Sequence, residues 1–466
     1  MLHPTSFQVS VPGFYDRERE YALHIVLDGF LGLAYELHFA EGAIGTVIRG
    51  EDEKELHIAD AFFSTEPEKW LKPGSLPVKP LTQWDVKGAG LEADTISSKI
   101  PMLYTEDPGQ SAFFRASDGC GRLGLDIFGS VFFMLSRYEE LVKPDRDEHG
   151  RFPATASLAY QEGFLNRPIV NEYVEILWAA MNRLWPGLKR KRRTFKIVPT
   201  HDVDMPYEER FRPFSRAALR AGVDIVRRRS PRLAVQNLMR WERVRRGTIK
   251  DRYDTFDWLM DQSEKCSVKS AFYFMGAQKG RKDSGYRLEH PKLQSVIQSI
   301  QDRGHAIGFH PGYNTYSRKH EWQQQLAGLQ DALPDHAALH GGRQHFLRLE
   351  VPTTWRLWAE SGLDYDSTLG FADHPGFRCG TCYPFPVFDL EKREQLPLFE
   401  RPLIAMDCTV LHPKYMGLVT SDEALQTFVD LRERCRLFNG EFVFLWHNSS
   451  LTTAAERDLY VQLLQS

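Results

Sequence analysis

From Phe195 onward, short apolar runs alternate with stretches whose apolar residues recur at helical spacing. Ser270-Ala271-Phe272-Tyr273-Phe274-Met275, His305-Ala306-Ile307-Gly308-Phe309, Leu403-Ile404-Ala405-Met406 and Phe442-Val443-Phe444-Leu445-Trp446 predict strands, as does the run from Phe195 that ends at the Asp202/Asp204 pair. The last apolar run lacks polar alternation, as expected of a strand covered on both faces. Residues 291–303 predict a helix with Leu293, Val296, Ile297 and Ile300 on one face; Pro291 suits its first turn and Gly304 its end. Residues 321–333 predict another. Thr420 and Glu423 have the spacing of a capping box for a helix reaching Phe438, with Gly440 beyond it. Strand–helix alternation of this kind predicts a parallel sheet, open or closed.

The first 190 residues follow a different rhythm. Residues 34–39 alternate like a half-buried strand, residues 126–135 read as a buried helix with a polar end at Arg137, Glu139 and Glu140, and residues 171–184 predict a helix broken at Trp185-Pro186-Gly187. The basic run Lys189-Arg190-Lys191-Arg192-Arg193 reads as a solvated linker, and the domain boundary is placed there. The expected organisation is a smaller mixed α/β domain over residues 1–190 and a second domain over 191–466. An arginine-rich insertion at about 207–252, with Arg227-Arg228-Arg229, Arg243, Arg245 and Arg246, interrupts the second rhythm. A solvated helical insertion is the preferred reading; the other is a flap attracting an anionic substrate or membrane surface.

A chain of 466 residues with 42% hydrophobic and 26% charged residues suits a globular protein of two domains. The net charge of −3 gives no general reason to expect nucleic-acid binding. No apolar run is long enough to span a bilayer, and the start Met1-Leu2-His3-Pro4 lacks a basic region followed by an apolar one, so the expectation is a cytoplasmic protein. Six cysteines are scattered, and Cys379-Gly380-Thr381-Cys382 is the only CxxC. Without a second pair it does not make a four-ligand zinc site, and the thiols are expected reduced in a structural loop.

In parallel α/β architectures functional groups gather at the carboxyl ends of strands. That rule selects Asp202 and Asp204, then His310 in Gly308-Phe309-His310-Pro311-Gly312-Tyr313-Asn314, Arg343 in Gly341-Gly342-Arg343-Gln344-His345, Asp407 after Met406, and His447 in Leu445-Trp446-His447-Asn448. Each alone has a plain structural explanation: an aspartate is often a helix cap, and a strand-end histidine a hydrogen-bond partner. Their succession, one strand end after another, is the stronger signal.

Residues from about 196 to 450 resemble, in this order of motifs, the polysaccharide deacetylase (NodB-homology) family. The resemblance implies a distorted (β/α) barrel holding a divalent metal, zinc by first expectation, with cobalt or another ion as alternatives. It assigns Asp202 as the base, Asp204 and His310 as metal ligands, Arg343 as the group that aims Asp202, His447 as the acid and Asp407 as the residue orienting it. Tyr313 and Arg378 become the substrate-contact candidates, the latter from Pro375-Gly376-Phe377-Arg378-Cys379-Gly380-Thr381-Cys382, which resembles a subgroup signature. The first 190 residues resemble leader domains of one bacterial subgroup.

One position departs from the family. Where a second histidine is expected, this chain has Asn314, a poorer zinc ligand because its oxygen is neutral and weakly basic. Asn314 coordinates through that oxygen, or His305 substitutes, or the metal is weakly held and the activity differs. His305 and His310, five residues apart on an extended segment, face opposite sides, so Asn314 is the preferred third ligand. The implied reaction is removal of an N-acetyl group from a nucleotide- or lipid-linked sugar during cell-surface polysaccharide synthesis. Two other readings stay open: a glycosyltransferase using Asp202-Val203-Asp204 as a DxD triplet, and a non-catalytic glycan-binding protein on a degraded barrel. The oligomeric state is left open.

Overall fold

The computed structural model describes residues 6–106, 114–276, 282–283, 286–334 and 338–465. The chain forms two compact units: residues 1–196, 347–405 and 430–442 make the first, and residues 197–346, 406–429 and 443–466 the second. The expected crossing near residue 190 is one of several, because the chain returns to the first unit twice. The Arg378 and CxxC segment therefore lies in the first unit.

The first unit contains a six-stranded mixed sheet in the order Tyr35–Phe39, Phe7–Val11, Thr46–Arg49, Glu55–Ile58, Cys120–Leu123, Phe114–Ser117. Phe7, Val9 and Val11 alternate inward from their strand, so period-two patterning sets which face is core. The helix Ile127–Leu135 is buried all round, as its uniformly apolar sequence requires. Asp126 caps it by accepting the Gly129 N–H at 2.8 Å. The helix Ile169–Leu184 packs against it. The basic run is more than a solvated linker: Arg190 pairs with Glu175 at 2.6 Å, and Arg193 lies 4.2 Å from the Tyr383 ring while donating to the Gly29 carbonyl at 2.7 Å. The six cysteines are free thiols, with Cys379 and Cys382 buried.

The second unit is built on strands β1 (Lys196–Val203), β2 (Ala271–Phe274), β3 (Ala306–Phe309), β4 (Gly341–Gly342), β5 (Ala405–Met406) and β6 (Glu441–Leu445). Their hydrogen-bonded order is β4–β3–β2–β1–β6–β5. β1, β2, β3 and β4 pair in parallel, with Asp202 opposite Tyr273 and Phe309 opposite Gly342. The architecture is mixed α/β. Among the described residues no pairing closes this order into the expected barrel.

β1 runs further than its apolar pattern predicts and includes Asp202; Asp204 is the first residue but one after that carboxylate and lies just past the strand. Two glycines allow β3 and β4 to approach closely. A Cβ on Gly308 would lie 2.5 Å from the Tyr273 ring, and one on Gly342 would lie 1.8 Å from the Phe309 carbonyl oxygen. Only glycine fits there, and the close approach carries Arg343 up beside His310.

Helices Pro291–Asp302 and Lys319–Ala332 form where apolar periodicity predicts them. The expected capping box does not form. Ser421, one residue later than Thr420, caps the next helix by accepting the Ala424 N–H at 3.1 Å, which removes Glu423 from the reciprocal position. The arginine-rich insertion folds as two helices packed on each other, α1 (Phe214–Val226) and α2 (Pro231–Arg245).

Candidate active site

Asp202 is buried at the end of β1. Arg343 Nη1 donates to its Oδ1 at 2.9 Å and to Thr200 Oγ1 at 2.9 Å, so one fully buried guanidinium fixes the carboxylate's direction. The guanidinium carbon lies 5.1 Å from the centre of the Tyr273 ring.

Asp204 stands differently. Its side chain is 27% exposed, so solvent and small solutes reach it. Three imidazoles converge on it: Oδ1 lies 3.1 Å from His310 Nε2 and 3.4 Å from His345 Nε2, and Oδ2 lies 3.6 Å from His447 Nε2. Burial works against the Asp204 carboxylate, but His345, His310 and His447 outweigh it and hold its pKa below the ordinary value. Burial likewise opposes the charged form of His310, and the facing Asp202 and Asp204 carboxylates more than offset it, raising its pKa.

The two nearer histidines are oriented from behind. His310 Nδ1 donates to the Arg343 carbonyl at 2.6 Å, since a carbonyl only accepts. His345 Nδ1 lies 2.9 Å from Asp283 Oδ1, which also accepts the Tyr313 N–H at 2.7 Å. Both rings therefore turn Nε2 toward Asp204. One ligand atom from each of Asp204, His310 and His345 lies within 4.8 Å of the others. Two imidazole nitrogens and a carboxylate oxygen, each histidine backed by an acceptor at Nδ1, are a donor set that fits zinc or a similar divalent ion.

His345 is the ligand candidate that sequence reasoning missed. The available signal was a histidine two residues past Arg343, at the start of the short helical turn His345–Leu347 that follows β4. Gln344 turns aside to donate to the Pro311 and Gly312 carbonyls at 3.1 and 2.7 Å. Asn314, the expected third ligand, is half-buried before the short turn Thr315–Ser317, and no hydrogen bond joins its side chain to the Asp204 group among the described residues. His305 precedes β3 whereas His310 follows it; its Nδ1 accepts the Ser270 N–H at 3.0 Å and its Nε2 lies 3.2 Å from Glu264.

His447 follows β6. Its Nδ1 lies 2.8 Å from Asp407 Oδ1, and its backbone N–H donates to Asp407 Oδ2 at 3.1 Å. Burial depresses the imidazolium, but Asp407 overcomes this and lifts the His447 pKa well above the usual value. Asp407 is correspondingly held low against its own burial, chiefly by His447. Cys408, which sequence reasoning did not single out, places Sγ 3.8 Å from His447 Nδ1.

The two substrate-contact candidates fare differently. Tyr313 is half-buried, its ring edge-on to Phe346 at 5.1 Å and 5.9 Å from Lys282 Nζ. Arg378 is a correction. It lies in the first unit, 2% exposed, with Nε and Nη2 on Glu140 at 2.9 and 2.6 Å and Nη1 on the Gly370 carbonyl at 2.9 Å. A guanidinium so enclosed and engaged is a structural ion-pair member, not a substrate contact.

Residues 8–186 match a family model described as a family of unknown function, DUF7033. No curated protein matches the chain. A crystal structure from Mycobacterium smegmatis, provisionally described as a polysaccharide deacetylase, is similar at 19% identity. The likeness spans 59% of this chain and 85% of that one, with a TM-score of 0.36.

Proposed function

We propose that the chain is a divalent-metal-dependent hydrolase that removes an N-acetyl group from a sugar or glycan intermediate of cell-surface polysaccharide synthesis. The observation that carries this reading is the meeting of three distinct functions around Asp204. These are a carboxylate aimed by an arginine (Asp202 with Arg343), a metal-type donor set (Asp204, His310, His345), and an imidazole backed by a carboxylate (His447 with Asp407).

An amide resists water because its carbonyl is weakly electrophilic and its nitrogen leaves badly. A divalent ion held by Asp204, His310 and His345 would supply Lewis acidity to that carbonyl. Asp202 would take the proton of the attacking water, with Arg343 fixing the direction of the carboxylate that accepts it. His447, favoured as the imidazolium by Asp407, would deliver a proton to the departing amine. Tyr313 is retained as a substrate contact. On this reading the fold is a distorted (β/α) barrel with an open seam, the protein works in the cytoplasm, and residues 1–190, ending at the proposed boundary, form the N-terminal part of the first unit. The DUF7033 match ending at residue 186 supports that boundary. The glycosyltransferase reading is less favoured, because the imidazoles converge on Asp204 while Asp202 is paired with Arg343, so the two carboxylates do not act as one clamp.

The test is acetate release by purified protein supplied with zinc or cobalt, against N-acetylated nucleotide sugars and lipid-linked N-acetylated sugars. Metal-dependent acetate release that disappears in Asp202→Asn supports the proposal. No acetate across the panel, with free nucleotide released instead, would transfer support to a glycosyltransferase.

A further inference from the structure

The insertion between Asp204 and the rest of the second unit has a surface that the proposed chemistry leaves unused. Helices α1 and α2 bury Ala217, Ala221 and Asp224 on one side and Ala234 and Val244 on the other. Asp224 ties the pair together, accepting from Asn237 at 2.7 Å and from Arg228 at 3.0 Å. The contact between the helices is thus supplied with partners, and what remains faces outward.

That outward surface repeats one pattern. In α1, Arg216, Leu219, Val223 and Arg227 follow at i, i+3, i+7 and i+11; in α2, Arg232, Val235, Met239 and Arg243 follow at the same spacing. Residues at these intervals share one helical face. The apolar members are exposed: Leu219 by 69%, Val235 by 51% and Met239 by 60%, with Val226 at 76% beside them. None of Arg216, Arg227, Arg232 and Arg243 has a carboxylate partner among the described residues, whereas Arg220, Arg228 and Arg246 do. Exposed aliphatic side chains flanked by unneutralised arginines match an anionic bilayer surface, where aliphatic groups enter the acyl boundary and guanidinium groups meet phosphates. A nucleic acid would satisfy the arginines and leave the aliphatic groups in water.

The placement adds to this. Asn448, next to His447, donates through Nδ2 to the carbonyls of Met205 at 3.0 Å and Tyr253 at 2.9 Å, the two roots of the insertion. The hairpin therefore leaves and rejoins the unit beside Asp204 and His447.

We propose that hairpin α1–α2 docks on an anionic phospholipid surface and brings the site to a substrate whose lipid carrier is held in the bilayer. The choice of a lipid-linked substrate rests on the deacetylase reading; the docking does not.

The experiment is co-sedimentation of the full chain with phosphatidylcholine vesicles, with and without phosphatidylglycerol. Binding is expected only with phosphatidylglycerol, and weakening as salt rises. Arg232→Gln with Arg243→Gln should lower the apparent affinity about 30-fold, and Leu219→Asp with Val223→Asp should abolish binding. All four residues point outward, so circular dichroism should show unchanged helix content. No binding to anionic vesicles, or binding indifferent to both double variants, overturns the proposal. So does self-association or RNA binding that the variants abolish while vesicles are ignored. The two readings fail separately. Vesicle binding without acetate release from any substrate keeps the docking and removes the deacetylase. Acetate release without vesicle binding does the reverse.

Discussion

The two units each bury a dense group of charges, and the groups are built on opposite principles. In the first unit Glu140 accepts Arg137 Nε at 2.9 Å and both forks of Arg378, while Glu139 accepts Lys143 at 3.1 Å and the Leu158 N–H at 2.9 Å. Burial alone would raise the Glu140 carboxyl, but the two guanidinium groups pull it down to about 2. In the second unit Asp204 has no arginine or lysine partner among the described residues; its neighbours are three imidazoles, and a quarter of its side chain meets solvent. A guanidinium has no lone pair to offer a metal or a substrate proton, whereas an imidazole has one. Buried charge is therefore not the mark of a site. The mark is a carboxylate that solvent still reaches, surrounded by groups that can exchange protons or ligands.

Four substitutions bear on that contrast, in decreasing order of effect. Glu140→Ala leaves Arg137 and Arg378 buried without their shared partner and should cost about 3–5 kcal/mol in a denaturant titration. Metal affinity of the folded protein should be unchanged; a selective loss of metal would mean the first cluster is more than structural. Asp202→Asn should lower turnover about 10³-fold, read by acetate release from the folded fraction. Asp283→Ala removes the acceptor behind His345 and should weaken metal binding about 10–100-fold by competition with a chromogenic chelator.

The fourth concerns pH. Asp407 raises the His447 pKa, so its acid form is lost at higher pH than an ordinary imidazole's. The wild-type rate should fall, for this group, as pH rises through that raised value. Asp407→Asn removes the supporting charge, so the falling limb should move to lower pH. A limb that stays in place would show that another group supplies the proton.

The strands and helices of the second unit were legible because apolar periodicity is local, as in Pro291–Asp302 with its buried Leu293, Ile297 and Ile300. Strand ends then pointed to Asp202, Asp204, His310, Arg343, Asp407 and His447, which do assemble. Two things escaped. His345 joins Asp204 only because Gly308 and Gly342 let β4 approach β3, a close contact between segments distant in sequence. Arg378 becomes a substrate-contact candidate only through resemblance, since nothing local points to its partner Glu140, 238 residues away. Local patterns report which face is buried; they do not report what a polar group meets there.

The central claim is that Asp204, His310 and His345 share one divalent ion. Its most direct measurement is cobalt titration of the apo protein, read by d–d absorption, for the wild type, His345→Ala and Asn314→Ala. The account predicts one equivalent bound with a tetrahedral-type spectrum in the wild type and in Asn314→Ala, and none retained at comparable concentration in His345→Ala. Retention by His345→Ala together with loss in Asn314→Ala would contradict it.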